Sequence, residues 1–272
     1  MLTSFRITNI LCFLPPRVSE IYYTVFTLGF FYAIIFEPVR NGGLDMNLSR
    51  LESLVGEENI NKILGKNILV LGLGGVGGYA IESLIRCGVE HITLVDGDTI
   101  KPSNINRQII ATRWNNNRYK TREWKKRIKK INKHASVNII NAYITDDNFE
   151  LLFGEQYDYI IDACDTSKVK VRLVKECHDR SIKLVSSMGT ANKMDATQLV
   201  ITTLDKTETD PLAKKIRHEL SDCKDYMKDV TVVTSTEKAI NNHNLLGSTA
   251  FVPAVAGLYI TNYIINDVIK RA

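Results

Sequence analysis

Cysteine is sparse in this chain and never paired: Cys12, Cys87, Cys164, Cys177 and Cys223 are odd in number, widely scattered and form no C-x-x-C. A disulfide framework and a structural zinc knot are therefore excluded. Proline and glycine are few, 6 and 16 in 272 residues, which excludes collagen-like and low-complexity classes. The five histidines (His91, His134, His178, His218, His243) are dispersed without metal-ligand spacing, and no Ser-His-Asp or Cys-His constellation stands out. Internal repeats are also missing. What is present, 44% hydrophobic and 24% charged residues, suits one large or two small globular domains with a real core.

Charge is unevenly placed. The formal net charge is +5, yet residues 118–133 (RYKTREWKKRIKKINK) hold nine Lys or Arg against one Glu, so the remainder is slightly acidic. Such a stretch is the footprint of a protein that meets phosphate backbones. Trp124, Ile128 and Ile131 recur there at helical spacing, so the same lysines also read as the wet face of an amphipathic helix.

The first 45 residues differ from the rest. Residues 21–36 (IYYTVFTLGFFYAIIF) carry no charge, but sixteen residues fall short of the ~20 that cross a bilayer as a helix. No small-residue cleavage site follows a basic segment, as a signal peptide requires. Three readings stand: a short membrane anchor, a hydrophobic element docked on the body, or upstream sequence with Met46 the natural start. The last is preferred, because the body from Met46 is complete without the segment. The expected organisation is thus an extension, 1–45, and a nucleotide-binding domain, 46–272.

In that body strands and helices alternate. Asn67–Leu71 (NILVL) is a strand, residues 79–87 a helix stopped by Gly88, and residues 91–96, 137–142, 157–163 and 182–186 are further strands. Helices are expected over 119–132 and 167–180. The pattern predicts an α/β fold, a Rossmann-like doubly wound and mostly parallel sheet that holds ligands beyond the carboxyl ends of its strands. Beyond it lie a strand at 198–203, a charged helix at 211–221, a loop-rich stretch at 222–249 and an apolar helix at 255–268.

Gly72-x-Gly74-x-x-Gly77 follows a strand and opens a helix, so backbone N–H groups can approach a phosphate unobstructed. Asp96 ends the next strand, about 20 residues on, where a carboxylate accepts ribose hydroxyls. A nicotinamide enzyme and an adenylating enzyme are served equally to this point. The following VDGDTIKPSNINRQI separates them: Asp98, Asn104, Arg107 and Gln108, with Lys120, suit a triphosphate, whose charge cations offset as pyrophosphate departs. A dehydrogenase has no use for this cluster. Asp165, in DACDT, sits where a carboxylate holds Mg2+ between phosphates, or where it caps the helix beginning near Ser167.

In combination, GLGGVG, LVDGD, SNINRQ, Lys120 and DACDT resemble the ATP-binding core of the ubiquitin-activating-enzyme-like, ThiF-type adenylyltransferases. Within that superfamily residues 46–270 are most similar to the tRNA threonylcarbamoyladenosine dehydratases, through SRLESLVGEE, SSMGTANKMDATQ, KTETDPLAKKIRHEL and GSTAFVPAVAGL. The two C-x-x-C zinc pairs usual in sulfur-carrier activators have no counterpart here. Nor does a cysteine that some dehydratases carry just before the segment matching Ser235-Thr236-Glu237; the neighbourhood reads Thr231-Val232-Val233-Thr234, and Cys223 lies too far upstream to replace it.

The resemblance implies an ATP- and Mg2+-dependent enzyme of the ligase class that dehydrates threonylcarbamoyladenosine, next to the tRNA anticodon, to a cyclic hydantoin through a carboxyl adenylate. It implies phosphate contacts at Gly72, Gly74, Gly75 and Gly77, ribose binding at Asp96, and further nucleotide contacts at Asp98, Asn104, Gln108, Arg107 and Lys120. Asp165 would hold the metal, and Arg50 would enter the partner's site in a homodimer. tRNA would meet the basic helix together with Lys214, Lys215 and Arg217. Sulfur-relay proteins are further expected partners, and the location is cytoplasmic, with membrane association if residues 21–36 are retained. The alternatives are adenylation of the C-terminal glycine of a ubiquitin-like sulfur carrier, a nicotinamide oxidoreductase, and a silent scaffold.

Overall fold

Asn67–Leu71 (β1) is apolar from its second residue on, and residues 68–71 are buried in the computed structural model, which describes residues 45–240 and 246–270. A strand covered on both faces reads this way, and β1 lies in the interior of a seven-stranded sheet. The strands are β1, His91–Val95 (β2), Ser136–Ile140 (β3), Tyr159–Asp162 (β4), Lys183–Ser187 (β5), Leu199–Thr203 (β6) and Thr231–Ser235 (β7). Their order is β3-β2-β1-β4-β5-β7-β6; only β6, on β7, runs antiparallel. The chain travels outward from β1 through β2 to β3 and then returns to lay β4 on the other side of β1. This reversal opens a crevice between the carboxyl ends of β1 and β4. The expected doubly wound sheet is the observed one.

Helices cover both faces. Gly75–Arg86 (α3), Lys120–Ile131 (α4) and Val252–Val268 (α7) bury Ile81, Leu84, Trp124, Ile128, Ile260 and Ile264 in one core. Ser167–Asp179 (α5), Pro211–Glu219 (α6) and the 3-10 turns at Asp146–Phe153 and Lys224–Lys228 fill the other with Phe149, Leu173, Ile216 and Leu220. Two short helices, Ser49–Val55 (α1) and Glu57–Leu64 (α2), precede β1 and were not foreseen from the pattern. The apolar α7 is packed against α3 and the sheet, and among the described residues no helix is long and apolar enough to cross a membrane. The expectations for the first 45 residues fall on 1–44, outside the described residues.

Two expectations need correction. The loop-rich stretch 222–249 also holds a strand that was not expected, the fully buried Thr231–Ser235. The β-branched run TVVTS favours a strand locally, and pairing with β5 and β6 on its two sides buries it. Second, the basic α4 and the helix bearing Lys214, Lys215 and Arg217 do not form one surface. Trp124 and Ile128 belong to one core and Ala213 and Ile216 to the other, so the two helices cover opposite faces of the sheet.

Candidate active site

The crevice holds a cavity of about 410 Å3, within the range of small-ligand sites. Its walls come from the carboxyl ends of successive strands: Gly72–Gly75 after β1, Asp96–Asp98 after β2, Ala142–Ile144 beyond β3 and Ala163–Thr166 after β4. Gly72 has φ +87°, and a Cβ there would lie 2.6 Å from the Ala163 carbonyl oxygen. The β1 exit can therefore touch the β4 exit only as glycine. No side chain caps α3, whose first-turn N–H groups stay available to an anion.

Asp96 is held rigidly. Its Oδ2 accepts from the Leu73 N–H at 2.8 Å and its Oδ1 from the Asp98 N–H at 2.7 Å. Lys120 enters from the first turn of α4, its side chain 6% exposed, with Nζ 3.0 Å from Asp98 and 3.4 Å from Asp96. Two carboxylates thus fix this ammonium at the wall. Burial by itself would raise Asp98, but the Tyr143 hydroxyl and Lys120, both donating to it, hold its carboxyl below the usual carboxylate range.

SNINRQ forms a continuous turn. Asn104 Oδ1 accepts from the Lys101 N–H, and the Asn104 carbonyl accepts from Arg107 and Gln108 N–H, which carries both side chains into the wall. Gln108 is buried, and its Oε1 has no hydrogen-bond partner in the structure. Such an orphan acceptor at a cavity wall is what a bound polar ligand satisfies. The cavity also admits the exposed Asp165. The capping alternative for Asp165 does not hold: the cap position of α5 is Thr166, and neither supplies a side-chain capping bond.

Of the residues expected at the site, Gly72, Gly74, Gly75, Asp96, Asp98, Asn104, Arg107, Gln108, Lys120 and Asp165 line one cavity. Gly77 and Arg50 do not. Gly77 faces back into the fold, where a Cβ would lie 1.9 Å from the Gly72 carbonyl oxygen, so it serves helix–strand packing. Arg50 is exposed on α1, two residues from Leu48, which packs on Gly88 at the turn entering β2. That is the opposite edge of the sheet from this chain's cavity. Cys223 packs in the far core beside Leu220. Cys164 does line the cavity, but burial pushes its thiol well up, so it stays protonated.

Sequence reading gave no site role to Tyr143, Thr190, Ser248 and Pro253, which reach the cavity from distant segments, Pro253 from the first turn of α7. It also missed a buried pair beneath the site. Lys170, 1% exposed on α5, donates to Asp162 Oδ2 at 2.9 Å and to the Ser187 carbonyl at 2.9 Å, while Asp162 Oδ1 accepts from the Cys164 N–H at 3.2 Å. The pair anchors the turn that carries Asp165. Among the described residues no group of three His, Cys, Asp or Glu is placed to hold a metal by itself.

A model of the ThiF family matches residues 47–270. The tRNA threonylcarbamoyladenosine dehydratase of Bacillus subtilis is 38% identical over 240 residues, 82% of this chain and 94% of that protein. That of Haemophilus influenzae is 31% identical over 236 residues, 79% and 90% of the two chains. Among solved structures, the Escherichia coli tRNA N6-threonylcarbamoyladenosine dehydratase TcdA in complex with ATP superposes with a TM-score of 0.78 at 32% identity, covering 82% of this chain and 93% of that one. The molybdopterin-synthase adenylyltransferase of Haemophilus influenzae is 29% identical over 60% of this chain.

Proposed function

The chain belongs to the ThiF family, and from that premise we propose that it is an ATP-dependent tRNA threonylcarbamoyladenosine dehydratase. The observation that carries the reading is the meeting, in one cavity at the β1/β4 switch point, of a glycine loop, a helix N-terminus, Asp96, Arg107, Lys120 and Asp165. ATP fits these residues. The uncapped α3 and the cations at the wall match a polyanionic nucleotide, and the unpartnered Gln108 acceptor calls for a donor such as a hydroxyl or amino group.

Asp96 receives the ribose hydroxyls, and the Gly72–Gly75 backbone with α3 receives phosphate oxygens. A carboxylate is a poor electrophile at neutral pH. The threonyl carboxylate attacks the α-phosphate, forming an acyl adenylate, while Arg107 and Lys120 stabilise the charge of the departing pyrophosphate. A nitrogen of the same ureido group then closes on the carbonyl, and AMP leaves. Ring closure is intramolecular, so positioning replaces a protein nucleophile. The protonated Cys164, the only thiol lining the cavity among the described residues, agrees with this direct route.

Mg2+ fits as well: it binds through one or two carboxylates plus substrate phosphates, and Asp165 supplies such an oxygen donor. Bound there, it would neutralise charge developing on the phosphates. Arg50, remote from its own cavity, is free to serve a second copy in a homodimer. Sulfur-relay partners and a cytoplasmic setting complete the reading.

The test incubates the full chain with MgATP and tRNA bearing threonylcarbamoyladenosine, and follows loss of one water from the digested nucleoside by mass spectrometry. Dehydration that requires ATP and is abolished in Asp165→Ala is the expected result. AMP formation only with a ubiquitin-like carrier in place of tRNA would overturn it.

A further inference from the structure

The loop between Gln108 and Lys120 leaves the cavity wall at one of its lining residues and returns at the other. Asn115 pins it: the buried side chain accepts from the Thr112 N–H and donates to the Ile110 carbonyl. Its return limb is tied to the strand-end loop beside the cavity, with Ile100 N–H donating to Arg118, Asn117 N–H to Ile100 and Lys120 N–H to Asp98. This anchored loop presents two aromatic rings outward. Trp114 is 76% exposed with the Arg113 guanidinium 4.4 Å from its ring centroid, and Tyr119 is 41% exposed with Arg122 5.2 Å from its own. Trp124 is fully buried in the core and does an ordinary packing job. Trp114 does not.

Behind the rings, Arg122, Lys125 and Lys129 follow at helical spacing along α4, so they share one exposed face. Neighbouring charges are neutralised internally: Arg118 and Lys126 pair with Glu123, and Arg127 with Glu82. Arg113, Arg122, Lys125 and Lys129 have no carboxylate within ion-pair distance among the described residues. The result is a pair of aromatic platforms on the loop that joins two cavity-lining residues, continued by a cationic stripe. Unpaired bases stack on such rings and guanidinium planes, and a stripe of this kind follows a phosphate backbone.

We propose that the Arg113–Trp114 and Tyr119–Arg122 pairs receive the unpaired loop bases that flank the target adenosine, while Arg122, Lys125 and Lys129 track the adjoining backbone. The surface recognises a single-stranded RNA loop, since a duplex keeps its bases stacked inside. The inference rests on the dehydratase reading of the cavity and adds to it the route by which the RNA enters.

The experiment titrates the full chain with an anticodon stem-loop bearing threonylcarbamoyladenosine, with a duplex of equal length, and with a non-hydrolysable ATP analogue. It reads tryptophan emission, in which Trp114 is the only exposed reporter, and binding of labelled RNA. The stem-loop is expected to quench emission saturably. Trp114→Ala should weaken stem-loop binding by about tenfold, as loss of one stacked base does, and leave duplex and ATP-analogue binding unchanged. Lys125→Ala with Lys129→Ala should lower the slope of log affinity against log salt by roughly 1.4, two single-strand phosphate contacts. Unchanged emission at saturation, native stem-loop affinity in Trp114→Ala, or equal losses for loop and duplex would each overturn the platform. If the native chain binds the ATP analogue but neither RNA, the dehydratase reading falls with it. If Trp114→Ala still binds and dehydrates the RNA like the native chain, only the platform falls.

Discussion

Replacing Lys170 by Met tests whether the buried pair beneath the site holds it up. The side chains of Lys170 and Asp162 are 1% and 0% exposed. The ammonium donates to Asp162 Oδ2 at 2.9 Å, to the Ser187 carbonyl at 2.9 Å and to Ser186 Oγ at 3.2 Å. Methionine keeps the volume and removes the cation, which leaves a carboxylate in the core with only the Ser186 hydroxyl and the Cys164 N–H as donors. Breaking one side of such a pair costs about 3–5 kcal/mol. For a domain of this size each kcal/mol lowers the melting temperature by about 2–4 °C, so a fall of roughly 6–20 °C is expected in far-UV thermal unfolding. The companion Asp162→Leu/Lys170→Met removes both charges, and because the desolvation cost disappears with them it should lie within about 2 kcal/mol of the native chain. A melting temperature of Lys170→Met within about 2 °C of native, or a double variant less stable than the single one, would refute the reasoning.

Two further outcomes follow from the same geometry. Gly72→Ala forces a side chain into a left-handed backbone with its Cβ 2.6–2.8 Å from backbone atoms of Ala163 and Cys164, which cannot rotate away. The conformation alone costs about 1–2 kcal/mol, so lower thermal stability and weaker ATP-analogue binding are expected; native behaviour in both would contradict the packing argument. For Asp98, whose carboxyl Tyr143 and Lys120 hold low against the effect of burial, the stabilisation is present above the ordinary carboxylate pKa of about 4 and is lost as pH falls through the lower folded value. Asp98→Asn should therefore flatten the dependence of denaturant midpoint on pH below about pH 4. An unaltered acid limb would place that stabilisation elsewhere.

Much of the site was legible because the chemistry is local. Gly72, Asp96, Asn104, Arg107, Gln108 and Asp165 follow strand ends at short fixed spacings, and a parallel strand delivers the residues just past its end to one edge of the sheet. Asp98 was read as a nucleotide contact, and the structure adds its grip on Lys120 and Tyr143, which only folding brings together. Lys170 was invisible for a related reason. It occupies a core position of α5 among Val169, Leu173 and Val174, and a lysine in a helical pattern reads as surface until a buried carboxylate is found beneath it.

By itself the sequence determined the elements whose signal is carried by consecutive residues. These are the central strands buried on both faces, the amphipathic helices, the glycine turn, and the family and nucleotide chemistry they imply. Tertiary structure alone decided what depends on distant segments meeting. It buried Thr231–Ser235 by pairing it with β5 and β6. It set the basic α4 and the Lys214–Arg217 segment on opposite faces of the sheet. It put Gly77 against the Gly72 carbonyl and Arg50 at the far edge. Side-chain periodicity specifies which residues share a face of one element, but which face meets which neighbour is set by long-range pairing and the direction of each crossover, and no local spacing encodes those.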